Sequence, residues 1–322
     1  SDPISEKGVE ALRSTPNITV DVNTGLAPDE LKKIIGQYHG LVVRSQTKVT
    51  RDILAAATNL KAIGRAGVGV DNIDRDAATD HGVIVMNTPS GNTIATAELT
   101  FTHLLSLARP VPEAVQSMRE GKWDRKTLSG TELFGNHLGI LGLGRIGAEV
   151  AKRANAFGMK VLAYDPYLTE ARAKALGVTI ATLDEVFALS DYITVHMPLI
   201  EKGKQGATEG MVDDAAFAKM KKGVKIVNCA RGEIVHTDDI AAALKSGQVG
   251  GYCTDVLDEE PPRADHPLTK LPNCVVTPHI GSRTAESVQR QAVAAVTNLI
   301  RAMHGEKPLA QINPEVPVKK VV

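Results

Sequence analysis

"LGILGLGRIGAEVAKRANAFGMKVLAYD", residues 138–165, passes from an apolar strand-like run through three glycines into a helical stretch, then into a second apolar run that ends on an acid. Gly142, Gly144 and Gly147 stand in the spacing G-x-G-x-x-G. Glycine is common, so the spacing alone is a weak signal. Between a strand and a helix it becomes the fingerprint of a βαβ unit that binds a dinucleotide. The first glycine makes the turn, the second lets backbone approach a pyrophosphate, and the third lets helix and strand pack closely. The helix N-terminus offers free N–H groups and a positive dipole end to the phosphates. Asp165, 23 residues after Gly142, stands where an acid hydrogen-bonds the ribose hydroxyls of NAD and repels the extra phosphate of NADP. The bland alternative, a glycine-rich turn with no ligand, does not account for the acid at the end of the second strand.

The same beat extends outward. After LGILG come KVLAYD, YITVH, VKIVNC, GGYCTDV and CVVTP, each but the last followed by a helical or loop segment. Towards the N-terminus, strands are expected near residues 18–22, 41–43 and 83–86, with helices such as 28–35 and 51–57 between them. Strands alternating with helices predict an α/β fold with parallel sheets covered on both faces. "NTPSGNTIATAELTFTHLLSLARPV", residues 87–111, reads as a turn opening into a long apolar helix capped by Asn92 or Thr93. A long final helix is expected near Ala285–Met303. These two helices are taken to join two domains: residues 1–88, completed by 281–322, and residues 89–280.

Composition narrows the function classes. At 322 residues the chain suits two domains. Lys plus Arg equals Asp plus Glu at 37 each, so no global field draws it to nucleic acid or an anionic membrane. Cys229, Cys253 and Cys274 are odd in number and sit in apolar runs, as small hydrophobes of a reducing compartment do. No stretch is long and apolar enough to span a bilayer and no signal-peptide pattern opens the chain, so a cytoplasmic location is expected. No metal site is expected.

Three polar residues stand at comparable places past strands. Arg231 follows VKIVNC, Glu260 lies in DVLDEEPP after the next strand, and His279 ends CVVTPH. Taken singly each has a plain structural reading: an Arg paired with Asp255, a solvated loop acid, a packed or capping histidine. In a doubly wound sheet, however, groups past the C-terminal strand ends face the ligand crevice. Oxidising a 2-hydroxy acid needs a base for the hydroxyl proton, and imidazole titrates near neutral pH. A carboxylate beside it stabilises the imidazolium and fixes the tautomer. A guanidinium grips the substrate carboxylate in a bidentate fork. A buried Arg231 needs an anion, and the substrate can be that anion.

GRAGVGVDNID, LGILGLGRIG, VNCARG, DEEPP and TPHIG together resemble the D-2-hydroxyacid dehydrogenase family in order and spacing, over nearly the whole chain. The resemblance implies a Rossmann NAD-binding domain and a flavodoxin-like substrate domain, both doubly wound. It implies Arg231, Glu260 and His279 as the catalytic set. It implies Gly142, Gly144, Arg145, Ile146, Gly147 and Asp165 in the cofactor loop, with Thr96, Pro198, Cys229 and Asp255 lining the NAD site. Arg44 and Ser45, with Val68 and Gly69, match the family's substrate loops. MNTPSGNTIATAELT, GKWDRKTLSGTELFG and NCARG are most similar to members that act on D-3-phosphoglycerate. In those, basic residues like Arg44, Arg65 and, from a neighbouring subunit, Arg125 hold the phosphate, which implies a homodimer or higher homo-oligomer. A reductase of glyoxylate or hydroxypyruvate, or one for another D-2-hydroxy acid, and a corepressor-like NAD-sensing protein, are the alternatives. The chain departs from the family at Glu233, His236, Ser282 and Arg283, which flank the active site. It is expected to correspond to the catalytic core without regulatory domains, with SDPISEKG matching the loop after the family's first strand.

Overall fold

Three short apolar runs, Gly40–Val43 (β1), Ala62–Arg65 (β2) and Ile84–Met86 (β3), pair in parallel in sequence order in the computed structural model, which describes residues 1–321. Their side chains alternate between two layers. Leu41, Val43, Ile63 and Val85 face Leu31, Ile35, Ile53 and Leu54, while Ala62, Ile84 and Met86 face Leu12, Val296 and Leu299. Burial on both faces is why these runs are continuously apolar. Helices Pro28–Ile34, Arg51–Ala56 and Arg75–Asp80 supply the first layer, and Glu6–Arg13 and Ala285–Met303 the second. These elements form one compact unit, residues 1–92 with 282–322. The C-terminal segment lines its β3 edge: Met86 bridges Gln311, and the Val85 N–H donates to the Asn313 side chain at 2.8 Å.

The final helix runs against the strands. At Gly40 a Cβ would meet Leu299 at 3.2 Å, and at Gly64, two residues further up the sheet, it would meet the Ala295 carbonyl at 3.0 Å. Two strand residues rise roughly 6.6 Å and four helical residues roughly 6 Å, so the axes match in opposite senses. The helix therefore starts at the edge where the strands end.

One expected strand is absent and two strands were not foreseen. Residues 18–22 alternate correctly, but no described strand pairs with them. β1 pairs only with β2, and residues 18–22 instead border a cavity of about 790 Å³ that Leu12, Leu31, Leu41 and Leu299 also line. An apolar alternation without a ladder partner stays irregular. β2 is short and contains Gly64, which hid it. Thr179–Ile180 (β6) is a two-residue exposed edge that no pattern could mark.

The second unit, residues 93–281, holds a seven-stranded parallel sheet. Its other strands are His137–Leu141 (β4), Lys160–Tyr164 (β5), Tyr192–Val195 (β7), Val224–Asn228 (β8), Val249–Thr254 (β9) and Cys274–Val276 (β10), in the order β10-β9-β8-β7-β4-β5-β6. Ile193, Val195 and Ile226 face Val186, Phe187, Phe217 and Leu244. Leu138, Ile140, Val227 and Cys253 face Phe101, Leu104, Val150 and Ala154. The sheet is thus doubly wound, and strand order reverses at β4, flanked by β5 and β7. That reversal is where such sheets bind ligands. Helix Thr93–Ala108 begins where expected, but not by the expected cap. Asn92 Oδ1 and Thr93 Oγ1 make no hydrogen bond, and the helix is held instead by burial of Ala97, Phe101 and Leu104. Cys229 and Cys253 are buried, Cys274 partly so, and all three are free thiols. No described helix is long and apolar enough to cross a membrane, and no three His, Cys, Asp or Glu among the described residues cluster as metal ligands.

Candidate active site

The glycine loop follows β4 at the strand-order reversal. Gly142 takes φ +93°, open to glycine at little cost, and its N–H donates to the Tyr164 carbonyl at 2.8 Å. A Cβ on Gly147 would overlap the Gly142 carbonyl, so this glycine is demanded by packing. Gly144 differs, because a Cβ there would meet nothing within 4 Å. It is exposed and precedes helix Arg145–Ala156 with no side-chain cap, so the first-turn N–H groups have open space before them. An open, uncapped helix start reached past a glycine fits a dinucleotide pyrophosphate. Arg145 is exposed and Ile146 partly buried on that first turn. Asp165, just past β5, accepts from the Leu143 N–H and the Tyr167 N–H, each at 2.8 Å, which locks the carboxylate beside the loop. Arg172, which the sequence did not mark, donates to the Leu143 carbonyl at 2.9 Å and braces the loop from outside.

The acid–base cluster hangs on the loops after β8, β9 and β10. His279 Nδ1 lies 2.7 Å from Glu260 Oε2, and Glu260 Oε1 accepts from the Leu257 N–H at 3.1 Å. Burial pushes the Glu260 carboxyl up. The hydrogen bond and charge of His279, the Leu257 N–H and the Arg231 charge outweigh it, and the carboxyl is held below its ordinary value. His279 itself sits at φ +52°, a strained position for a non-glycine residue and common at functional sites. Arg231 is placed by Asn228, whose side chain donates to the Arg231 carbonyl at 2.8 Å and accepts from the Ala230 N–H at 2.9 Å. A Cβ on Gly232 would overlap the backbone of Leu257 and Asp258, so the arginine loop and the acid loop touch main chain to main chain.

Asp255 holds the turn past β10. Buried at the end of β9, it accepts from Thr277 Oγ1 at 2.6 Å, the Ile280 N–H at 2.8 Å and the Gly281 N–H at 2.7 Å. It therefore fastens the turn that carries His279. Beneath it, His103 Nε2 lies 3.2 Å from Thr277 Oγ1, with burial lowering its pKa and Asp255 opposing. Thr96 donates to the Gly281 carbonyl at 3.3 Å, and the Pro198 carbonyl accepts from Thr208 at 2.6 Å. Cys229 is buried directly after β8, its thiol pushed up to about 12 by burial, so it is inert. His103, Thr277 and Arg172 escaped the sequence reading because each acts through a neighbour far along the chain, and Asn228 because its side chain works on the backbone of the two loop residues Ala230 and Arg231. His196, past β7, escaped it too. Burial drops its pKa to about 3, and its Nε2 has no hydrogen-bond partner.

In the smaller unit Arg44 and Ser45 follow β1, and Arg65 ends β2 in register with Val43. Arg65 Nε donates to Asn72 Oδ1 at 3.2 Å, and the Asn72 amide donates to the Arg44 and Thr47 carbonyls at 2.8 and 2.7 Å. The Arg65 guanidinium lies over the Gly67 backbone, where a Cβ would displace it. Val68 follows, its carbonyl accepting from the Asn87 amide at 2.6 Å, then Gly69. Arg44 and Arg65 thus share one sheet edge. Arg125 belongs to the other unit, in an exposed loop after helix Val111–Arg119. Of the departures, Glu233 lies in the turn after Arg231, and His236 heads helix Thr237–Ser246, 3.1 Å from Asp239.

A doubly wound sheet with its glycine loop at the reversal and a histidine–acid pair past neighbouring strands defines a nucleotide-dependent dehydrogenase architecture. A family model described as "D-isomer specific 2-hydroxyacid dehydrogenase, NAD binding domain" matches residues 101–281, and the chain belongs to that family. It is 45% identical over 95% of its length to D-3-phosphoglycerate dehydrogenase of Archaeoglobus fulgidus, and 45% identical over 97% to that of Bacillus subtilis. The matches cover 57% and 58% of those proteins, so the chain spans little more than half the length of these curated relatives. Among solved structures, the TT0316 protein of Thermus thermophilus superposes with a TM-score of 0.86 at 35% identity, over 97% of this chain and 98% of that one. A glyoxylate reductase from Paecilomyes thermophila gives 0.85 at 30% identity, over 98% and 96%.

Proposed function

We propose that the chain carries out NAD-dependent oxidation of D-3-phosphoglycerate to 3-phosphohydroxypyruvate, with the smaller unit as substrate domain. The observation that carries the chemistry is the His279–Glu260 pair at 2.7 Å with the Arg231 charge beside it. With Nδ1 engaged by the carboxylate, Nε2 is the ring atom left to take the hydroxyl proton from the substrate and return it in reverse. Glu260 steadies the imidazolium that forms. Arg231 grips the substrate carboxylate and polarises the neighbouring oxygen. Bound nicotinamide supplies the hydride acceptor; Asp165 selects NAD by its ribose hydroxyls, and the open face at Gly144 admits the pyrophosphate. The substrate assignment is supported by the names of the relatives and by Arg44 and Arg65 at one sheet edge. Ser45, Val68 and Gly69 are proposed to contact substrate there.

A homodimer fits the larger unit's surface. Helix Val111–Arg119 has no buried residue, and Val111, Val115, Met118 and Trp123 are all exposed. Apolar faces of this kind mark protein contacts. Arg125 follows in the same segment and is proposed to reach a partner's substrate. A cytoplasmic location goes with this metabolic role. The test is steady-state reduction with NADH of 3-phosphohydroxypyruvate, hydroxypyruvate and glyoxylate. A wild type that turns over all three with equal kcat/KM sinks the phosphoglycerate assignment and leaves the wider family reaction, which the glyoxylate reductase neighbour also represents. Absence of turnover with any 2-keto acid, alongside NADH binding, favours a sensing role.

A further inference from the structure

We infer that Arg283 joins Arg44 in a binding site for a phosphate-sized dianion at the strand-end edge of the smaller unit's sheet, and that Arg283 sets the preference for a phosphorylated acid. Both residues belong to this one unit. Arg44 leaves the end of β1, beside Arg65 at the end of β2. Because helix Ala285–Met303 runs against the strands, its start, and Arg283 just before it, lands at that same edge. The attachment is firm: Thr284 accepts from the Ser287 N–H at 3.1 Å, and Ser287 Oγ donates to the Gly91 carbonyl at 3.0 Å.

The two guanidinium groups are left without partners of their own. Neither makes a hydrogen bond or ion pair with any described residue, although Arg44 is partly buried. Burial and the positive charge of Arg283 push the Arg44 guanidinium below its ordinary value, and Asp2 opposes them. Asp2 is otherwise engaged, because its carboxylate accepts from the Arg44 N–H at 2.6 Å, the Thr47 N–H at 3.1 Å and Thr47 Oγ1 at 2.6 Å. Two like charges brought together with one partly buried are unfavourable unless an anion sits between them. Guanidinium forks match phosphate oxygens, and a dianion takes two. Ser282 and Arg283 are also among the positions read from the sequence as departures from the family pattern.

The specificity half of this inference rests on the phosphoglycerate reading; the anion site does not. Three proteins, wild type, Arg283→Ser and Arg283→Lys, are compared for kcat/KM with 3-phosphohydroxypyruvate and hydroxypyruvate, and for inhibition of hydroxypyruvate reduction by inorganic phosphate. Arg283→Ser is expected to lower the phosphorylated-to-unphosphorylated ratio about tenfold and weaken phosphate inhibition by a similar factor, with Arg283→Lys recovering much of both. Arg283 is exposed, and melting temperature checks that each variant folds. If wild type prefers the phosphorylated acid and Arg283→Ser keeps that preference, the inference is overturned while the function stands. If wild type shows no preference, the substrate reading fails and phosphate inhibition decides: weakened by Arg283→Ser, the anion site holds; unchanged, it falls.

Discussion

The glycine loop and the acid–base cluster sit in the same unit and are built in opposite ways. In the loop the groups that would meet a ligand are main-chain N–H groups, and side chains matter mostly by being missing: Gly147 for packing, Gly144 for open space. In the cluster the groups proposed to do the chemistry are side chains from three loops, and backbone serves to aim them. A site made of backbone depends on shape. A site made of side chains depends on charge and on who holds whom. Substitutions should therefore separate the two cleanly.

The largest effect belongs to the cluster. His279→Ala should cost roughly 10²–10⁴ in turnover, as expected for a positioned acid–base group, while NADH binding by fluorescence titration stays intact. Loss of cofactor binding in parallel would mean the two sites are not separable. Within the loop, Gly147→Ala should destabilise the fold by roughly 1–3 kcal/mol through overpacking, whereas Gly144→Ala should leave the melting temperature near wild type and weaken NADH binding instead. Equal melting temperatures for the two variants would contradict the packing described at Gly147. Asp165→Ser should narrow the NAD-over-NADP ratio by about tenfold, the worth of one charge contact removed. Wild type that uses both cofactors equally would strip Asp165 of its assigned role. The smallest effect falls on the partner. Glu260→Gln keeps the shape but removes the carboxylate that would steady the imidazolium, so turnover should fall by less than in His279→Ala; unchanged turnover removes Glu260 from the mechanism. The sign for stability follows from the same pair. The Glu260 carboxyl is held below its ordinary value, so its contribution is present above the ordinary carboxylate range and lost as pH falls through the folded-state value.

This contrast also explains what could be read from the chain. The loop was legible because its parts are contiguous: Gly142, Gly144, Gly147 and Asp165 lie within one βαβ unit, and local spacing carries their geometry. Arg231, Glu260 and His279 were legible only through the fold, since each follows a strand of one parallel sheet and strand ends share an edge. The hydrogen bonds of Asp255 to residues 277, 280 and 281 were not legible, because those partners are invisible without the β9–β10 register. Residues 18–22 failed for a like reason. Alternation marks a strand's faces, but a strand also needs a neighbour, and no one-dimensional pattern states whether one is there. Arg283 was noted as a departure and given no task, because its place beside Arg44 depends on the direction in which the final helix crosses the sheet.

Gly232 has a mechanical consequence. With no side chain between it and the backbone of Leu257 and Asp258, the arginine loop has no slack against the acid loop. Asp255 anchors the start of that acid loop to the histidine turn, and Glu260 ties its far end to His279. Three segments are thus welded at three points into one rigid block. For the proton transfer proposed for His279, main-chain contacts hold the groups in place, so little reorganisation would remain at the moment of reaction.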